Sequence, residues 1–129
     1  RPNPFSFGGW RNGDFDPGRP GIAGWIRHPV LAVLALWASG HIVPNGNLAH
    51  VVLFGGFALF ALLGMRLIDR RRLREMGEGR WSELWKVARE GRQLGADAAT
   101  FARLAAGLAL LIVLIWLHPH TIGLDPVAW

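Results

Sequence analysis

The sequence predicts an all-α membrane protein: a polytopic helix bundle with three membrane helices and one interfacial amphipathic helix. Hydrophobic residues make up 51% of the 129 residues and charged residues only 18%, against about 25% in a typical soluble domain. Long apolar runs alternate with short basic segments. A water-soluble chain of this size has a large surface to cover with polar groups, so this balance favours the lipid bilayer as its environment.

Residues 1–26 are rich in Pro, Gly, Arg and Asp, which disfavours a regular helix and predicts a cytoplasmic loop. Aromatic side chains such as Phe5, Phe7 and Trp10 suit the membrane interface. A linker and a cap over a site both fit this composition, and we favour the linker. The chain begins with Arg1 and shows no signal-peptide pattern, so we expect upstream membrane helices, or another membrane subunit, beside it.

Residues 27–75 are predicted to form the core helical hairpin. The first helix should begin at Pro29, because a proline at the first helical position gives up no hydrogen bond. Its apolar run, 30–43, rises roughly 21 Å, short of the roughly 30 Å hydrocarbon core. A Pro-Asn-Gly turn leads to a second helix, about 48–67, which is long enough to span. We expect the basic run 70–74 to stop the membrane segment.

Residues 76–99 contain the predicted interfacial amphipathic helix. Trp81 and Trp85 recur at helical spacing among basic residues, which is typical of a helix lying on an anionic leaflet. Residues 100–129 contain the third predicted membrane helix, about 100–117, and a short outer tail.

The distribution of basic residues predicts the orientation. All fourteen Lys and Arg fall on one side of the membrane if the first helix starts inside. The protein is therefore expected in a bacterial inner (cytoplasmic) membrane, multi-pass, with a cytoplasmic N-terminal loop and a periplasmic C-terminus. The net charge of +5 does not indicate nucleic acid, because the basic residues border apolar runs. The absence of Cys excludes disulfides, thiolate metal sites and cysteine nucleophiles.

Four histidines lie toward the predicted outer face. A histidine in a membrane helix usually faces the bundle interior, and neutral imidazole is a common metal ligand and haem axial ligand. From the residues alone, His41 either ligates a haem iron or another metal, or bonds a backbone carbonyl or Asn45 beside the turn. His50 is a weaker ligand candidate, and we expect His118 and His120 to be solvated at the interface.

A second polar group, Arg27, His28, Asp69 and Arg70, lies toward the predicted cytoplasmic face. The free N–H groups where a helix starts favour an anion, and Arg27 suits a carboxylate or phosphate. Because the hairpin returns Asp69 to the same face, Asp69 is the expected partner of Arg27. A structural ion pair and a ligand site both remain open.

The hairpin carries RHP, then W-x-x-x-H, then N-G, then an apolar helix that ends in D-R-R. This combination resembles the NnrU family of bacterial membrane proteins over about residues 20–85. The resemblance implies a role linked to denitrification and nitric oxide metabolism.

The same region is similar to plant 15-cis-ζ-carotene isomerases. That similarity implies a haem b and redox-dependent isomerisation of a double bond in a lipophilic substrate. Their haem-ligating histidine corresponds to His41, whereas Ala38 stands where those enzymes have a cysteine. Their second ligand lies upstream of this chain, so the resemblance supplies His41 alone, with His50 as a local substitute.

More distantly, the RHP motif and the charged residues at the end of the second helix resemble those of membrane methyltransferases that act on isoprenylcysteine or phospholipid headgroups. This resemblance implies S-adenosylmethionine at Arg27 and His28, with Asp69-Arg70 in place of the acidic pair. A third hypothesis is non-enzymatic. In it, the glycine-rich second helix docks an accessory subunit to a larger membrane complex.

Overall fold

The computed structural model describes residues 3–6, 15–44, 46–93 and 98–126. Within these ranges the chain is helical and contains no strand, which confirms the all-α prediction. The elements are a short 3-10 turn, Gly21–Gly24, and four α-helices: α1 Pro29–Ile42, α2 Leu48–Met76, α3 Glu78–Glu90 and α4 Ala98–Ile122.

Two of these helices, α2 and α4, are long and apolar enough to cross a membrane. Each has a mean hydropathy of 2.2 over its most apolar stretch, and only 6% and 0% of those stretches are buried within the protein. Such outward-facing apolar helices are compatible with a membrane protein. The helix α1 is apolar but has 14 residues, about 21 Å of rise against a core of about 30 Å. The prediction of three membrane helices is therefore corrected to two in the described residues.

The hairpin of α1 and α2 packs through small residues and aromatic rings. Ala38 and Ala61 are fully buried, and a Cβ on Gly64 would lie 3.4 Å from Leu31 Cδ1. Small side chains let the two backbones approach closely. Near the turn, the Trp37 ring packs at 5.4 Å from the ring of Phe54. These contacts fix the register that brings residues far apart in sequence to the same end of the hairpin.

The second helix extends past its predicted end near residue 67 and continues through the basic run 70–74 to Met76. Arg and Leu are good helix formers, and Glu75 pairs with Arg71 at 2.7 Å. The helix ends at Gly77, whose φ of +80° is a conformation that favours glycine. The same residue precedes α3.

The apolar face of α3 packs against the N-terminal segment. Phe5 is fully buried, and its ring centroid lies 5.3 Å from that of Trp81 and 5.2 Å from that of Trp85. Ala23 and Ala88 complete this cluster. The described part of the N-terminal segment is therefore a cover on α3 rather than a linker. This face, expected to lie in the lipid interface, meets protein. Phe7 and Trp10 lie outside the described residues.

The helix α4 belongs to a separate compact unit, residues 94–129. It extends beyond the predicted end at residue 117 and includes Pro119 within its last turn. A proline so close to the helix end removes a single N–H donor. Its own carbonyl still accepts a hydrogen bond from the Gly123 N–H at 3.0 Å.

Candidate functional site

Three charged or titratable side chains meet where α1 begins. Asp69 Oδ2 accepts a hydrogen bond from Arg27 Nη2 at 2.9 Å, and Asp69 Oδ1 lies 2.8 Å from His28 Nε2. The contact expected between Arg27 and Asp69 is thus present, and His28 joins it. Arg70, grouped with them from the sequence, is exposed and forms no ion pair within the described ranges. We call Arg27, His28 and Asp69 the α1-start cluster.

Local sequence explains how the α1-start cluster forms. Pro29 occupies the first helical position, and His28 is the residue that precedes the helix. The His28 side chain does not cap the helix, so it is available to reach α2. Because α2 runs back along α1, it carries Asp69 to this end of the hairpin.

His28 is the most deeply buried member, with 3% of its surface exposed. Because a carboxylate accepts hydrogen bonds, Nε2 is the protonated nitrogen in the contact with Asp69. The other ring nitrogen, Nδ1, is buried and has no hydrogen-bond partner among the described residues. A buried polar atom without a partner costs free energy. In the neutral ring this atom accepts a hydrogen bond, which suits a ligand group that donates one.

Contacts from outside the hairpin hold the α1-start cluster in place. The Arg27 guanidinium lies 4.9 Å from the centroid of the Trp85 ring on α3. The Arg27 carbonyl accepts a hydrogen bond from Asn3 Nδ2 at 2.7 Å. Three residues after Asp69 on α2, Arg72 Nη2 also donates a hydrogen bond to this N-terminal segment, to the Ser6 carbonyl at 3.3 Å. Sequence reasoning missed Asn3 and Trp85, because neither forms a motif with the RHP segment at any fixed spacing.

The other end of the hairpin holds a second group of polar residues. His41 Nδ1 lies 2.8 Å from the Trp37 carbonyl oxygen, and the His41 ring packs 4.9 Å from the ring of Phe54. His50 stacks on Phe54 at 6.0 Å, and its Nδ1 lies 2.8 Å from Asn47 Oδ1. We call His41 and His50 the turn histidines. The contact of His41 with a backbone carbonyl, which was the alternative to ligation of a haem or metal, is present through Nδ1. Asn45 lies outside the described residues.

The turn histidines have the chemistry of axial ligands. Each Nδ1 faces an oxygen acceptor and therefore carries the proton, which leaves the lone pair of the neutral ring on Nε2. Metal-binding histidines commonly have this arrangement. Among the residues the structure describes, no group of three or more His, Asp or Glu could hold a metal ion. A haem takes one or two protein ligands.

The remaining histidines belong to α4. His118 Nδ1 lies 2.7 Å from the Leu124 carbonyl oxygen, and His120 Nδ1 lies 3.0 Å from that of Trp116. His120 is exposed and His118 is half-buried. These two contacts therefore lie within α4 and the residues that directly follow it.

A family model described as NnrU protein matches residues 2–126, which is nearly the whole chain. The match includes both the α1-start cluster and the turn histidines. No curated protein and no solved structure matches the chain.

Proposed function

Because the chain belongs to the NnrU family, we propose that it is a membrane protein that binds haem b with His41 as an axial ligand. One observation carries this proposal. The His41 Nδ1–H points at the Trp37 carbonyl oxygen, 2.8 Å away, which fixes the ring and places the lone pair on Nε2. The rings of Trp37 and Phe54 pack against it at 4.7 and 4.9 Å and supply an apolar wall suited to a porphyrin.

Haem b supplies one-electron redox chemistry when it is bound. His41 would hold the iron, and the Trp37 carbonyl orients the His41 ring. His50, whose ring centroid lies 6.0 Å from that of Phe54, is the candidate second ligand. The proposed role is redox or isomerisation chemistry on a lipophilic substrate, or nitric oxide-linked chemistry in denitrification.

The proposed placement is a multi-pass protein of the bacterial inner membrane. The fourteen Lys and Arg are absent from the hairpin turn and from the segment after α4, which supports a cytoplasmic N-terminal segment and an outer C-terminus. In this orientation the turn histidines lie toward the outer face. The short helix α1 would then be buried among other helices rather than spanning alone.

Substitution of single histidines tests the haem proposal. His41→Ala should abolish the Soret band of the purified protein, whereas the matched variant His120→Ala should leave it unchanged. His50→Ala should keep the haem but convert a six-coordinate spectrum to a five-coordinate one if His50 is the second ligand. A Soret band that survives His41→Ala at full intensity would refute the assignment of His41.

A second candidate function rests on the α1-start cluster. The buried His28, with its unpartnered Nδ1, and the ion-paired Arg27 at a helix start favour a ligand with polar groups at this end. S-adenosylmethionine, implied by the methyltransferase resemblance, is the proposed ligand. The labelled compound should bind the purified protein, and binding should be lost in Arg27→Ala but not in Arg74→Ala. Absence of binding in a folded preparation would refute this candidate.

A further inference from the structure

An open groove runs along α3 on a face lined by aromatic and charged residues. Its lining includes the indoles of Trp81 and Trp85 and the cationic side chains of Lys86, Arg89 and Arg92. Among the described residues of this lining, Glu90 is the single carboxylate. We call this feature the α3 groove. Its excess of cations makes it attractive to an anion, and its aromatic walls offer apolar surface beside that charge.

The α3 groove adjoins the α1-start cluster. Trp85 lines the groove and also lies under the Arg27 guanidinium, 4.9 Å from its ring centroid. Arg27 in turn pairs with Asp69 at 2.9 Å. The groove is therefore anchored to the hairpin and does not belong to an isolated surface helix.

A ridge of exposed apolar side chains, on and just after the 3-10 turn, meets the groove at Trp25. Ile22, Trp25 and Ile26 are 63%, 50% and 43% exposed. The Arg92 guanidinium, which lines the groove, lies 5.0 Å from the centroid of the Trp25 ring. Gly24 allows this close approach, since a Cβ there would lie 3.0 Å from Arg92 Cβ. Exposed apolar groups and cations thus stand side by side.

We propose that the α3 groove and this ridge bind an anionic phospholipid, with the phosphate headgroup at Lys86, Arg89 and Arg92. Charge complementarity selects an anion, and basic pockets beside membrane helices are typical of anionic headgroup sites. The ridge selects a lipid over a soluble phosphate compound, because Ile22, Trp25 and Ile26 would contact the interfacial and acyl region of the same molecule. This inference does not depend on the haem proposal.

Native mass spectrometry of the delipidated full chain in detergent tests the lipid site. The probes are phosphatidylglycerol and phosphatidylcholine with matched acyl chains, and glycerophosphate as the soluble headgroup. Phosphatidylglycerol should bind at least about tenfold more tightly than phosphatidylcholine, since several cations near one anionic headgroup each favour its binding. Glycerophosphate should bind weakly and fail to displace phosphatidylglycerol.

Two triple variants with equal loss of charge separate the groove from the general basic surface. Lys86→Gln/Arg89→Gln/Arg92→Gln should abolish the preference for phosphatidylglycerol. Arg66→Gln/Arg74→Gln/Arg80→Gln, which removes exposed cations outside the groove lining, should change it less than about twofold. Helix content by circular dichroism should match that of the unmodified chain for both. Ile22→Ser keeps every charge and should still weaken lipid binding, by about three- to tenfold.

Three results would overturn the lipid site. Equal binding of the two phospholipids would show that the groove does not select an anionic headgroup. Equal losses in the two triple variants would show diffuse electrostatics rather than a groove. Displacement of the lipid by glycerophosphate at comparable concentration would assign the groove to a soluble phosphate compound.

Discussion

His28, at the start of α1, and Asp69, in α2, are joined across the hairpin by a contact of 2.8 Å between Nε2 and Oδ1. The second oxygen of the same carboxylate holds Arg27 at 2.9 Å. The Asp69 carboxylate thus contacts two adjacent residues of the RHP segment and connects the two helices at the end of the hairpin opposite the turn. Because His28 is almost fully buried, this contact pairs a polar group that would otherwise be costly to bury.

Asp69→Asn is expected to destabilise the folded chain. The substitution removes the charge that Arg27 pairs with and weakens the acceptor for the buried His28, which should cost about 2 kcal/mol. Denaturant unfolding in detergent micelles, followed by circular dichroism, measures the change. Glu83→Gln, an exposed site on α3, serves as the control and should stay within about 0.5 kcal/mol. Unfolding of Asp69→Asn at the same denaturant concentration as the unmodified chain would contradict the structural importance of this contact.

Gly24→Ala should separate the 3-10 turn from α3. A Cβ at Gly24 would lie 2.6 Å from the Ala88 carbonyl oxygen, a backbone atom that cannot rotate away. We expect destabilisation by about 1–3 kcal/mol. Gly79→Ala is the matched control, because a Cβ there meets open space and should stabilise α3 by up to about 1 kcal/mol. The same unfolding measurement compares them, and equal effects would mean that Gly24 is not tightly packed.

The membrane orientation can be measured with single cysteines, because the chain contains none. In intact cells, an impermeant maleimide should label Gly46→Cys, in the hairpin turn, after permeabilisation of the outer membrane alone. Glu83→Cys, on α3, should be labelled only after the inner membrane is opened. The reverse pattern would refute the orientation deduced from the basic residues.

The hairpin was predictable because its signals are local: a proline at the start, a turn and two apolar runs. The partner of Arg27 followed from that topology. The deep burial of His28 did not follow, because it depends on residues distant in the sequence. The continuation of α2 to Met76 was missed because a basic run marks the edge of a membrane, while the same arginines favour a helix.

The cover of Phe5 on α3 also escaped the sequence analysis. Phe5 lies in a Pro- and Gly-rich segment, and the helix that it contacts comes more than seventy residues later. No periodic pattern in the sequence predicts a contact of that kind. Amphipathic spacing identified the apolar face of α3 correctly. It did not distinguish a face that packs on protein from one that lies on lipid, since both bury the same side chains.

The most direct test of the central claim is an ultraviolet–visible spectrum of the chain purified in mild detergent, first air-oxidised and then reduced with dithionite. If the protein binds haem b, the Soret band should sharpen on reduction and the α and β bands of six-coordinate haem should be resolved. Loss of these bands in His41→Ala would identify the ligand. A flat spectrum from protein that is folded and was expressed with sufficient haem would contradict haem binding and leave the α1-start cluster as the candidate centre of function.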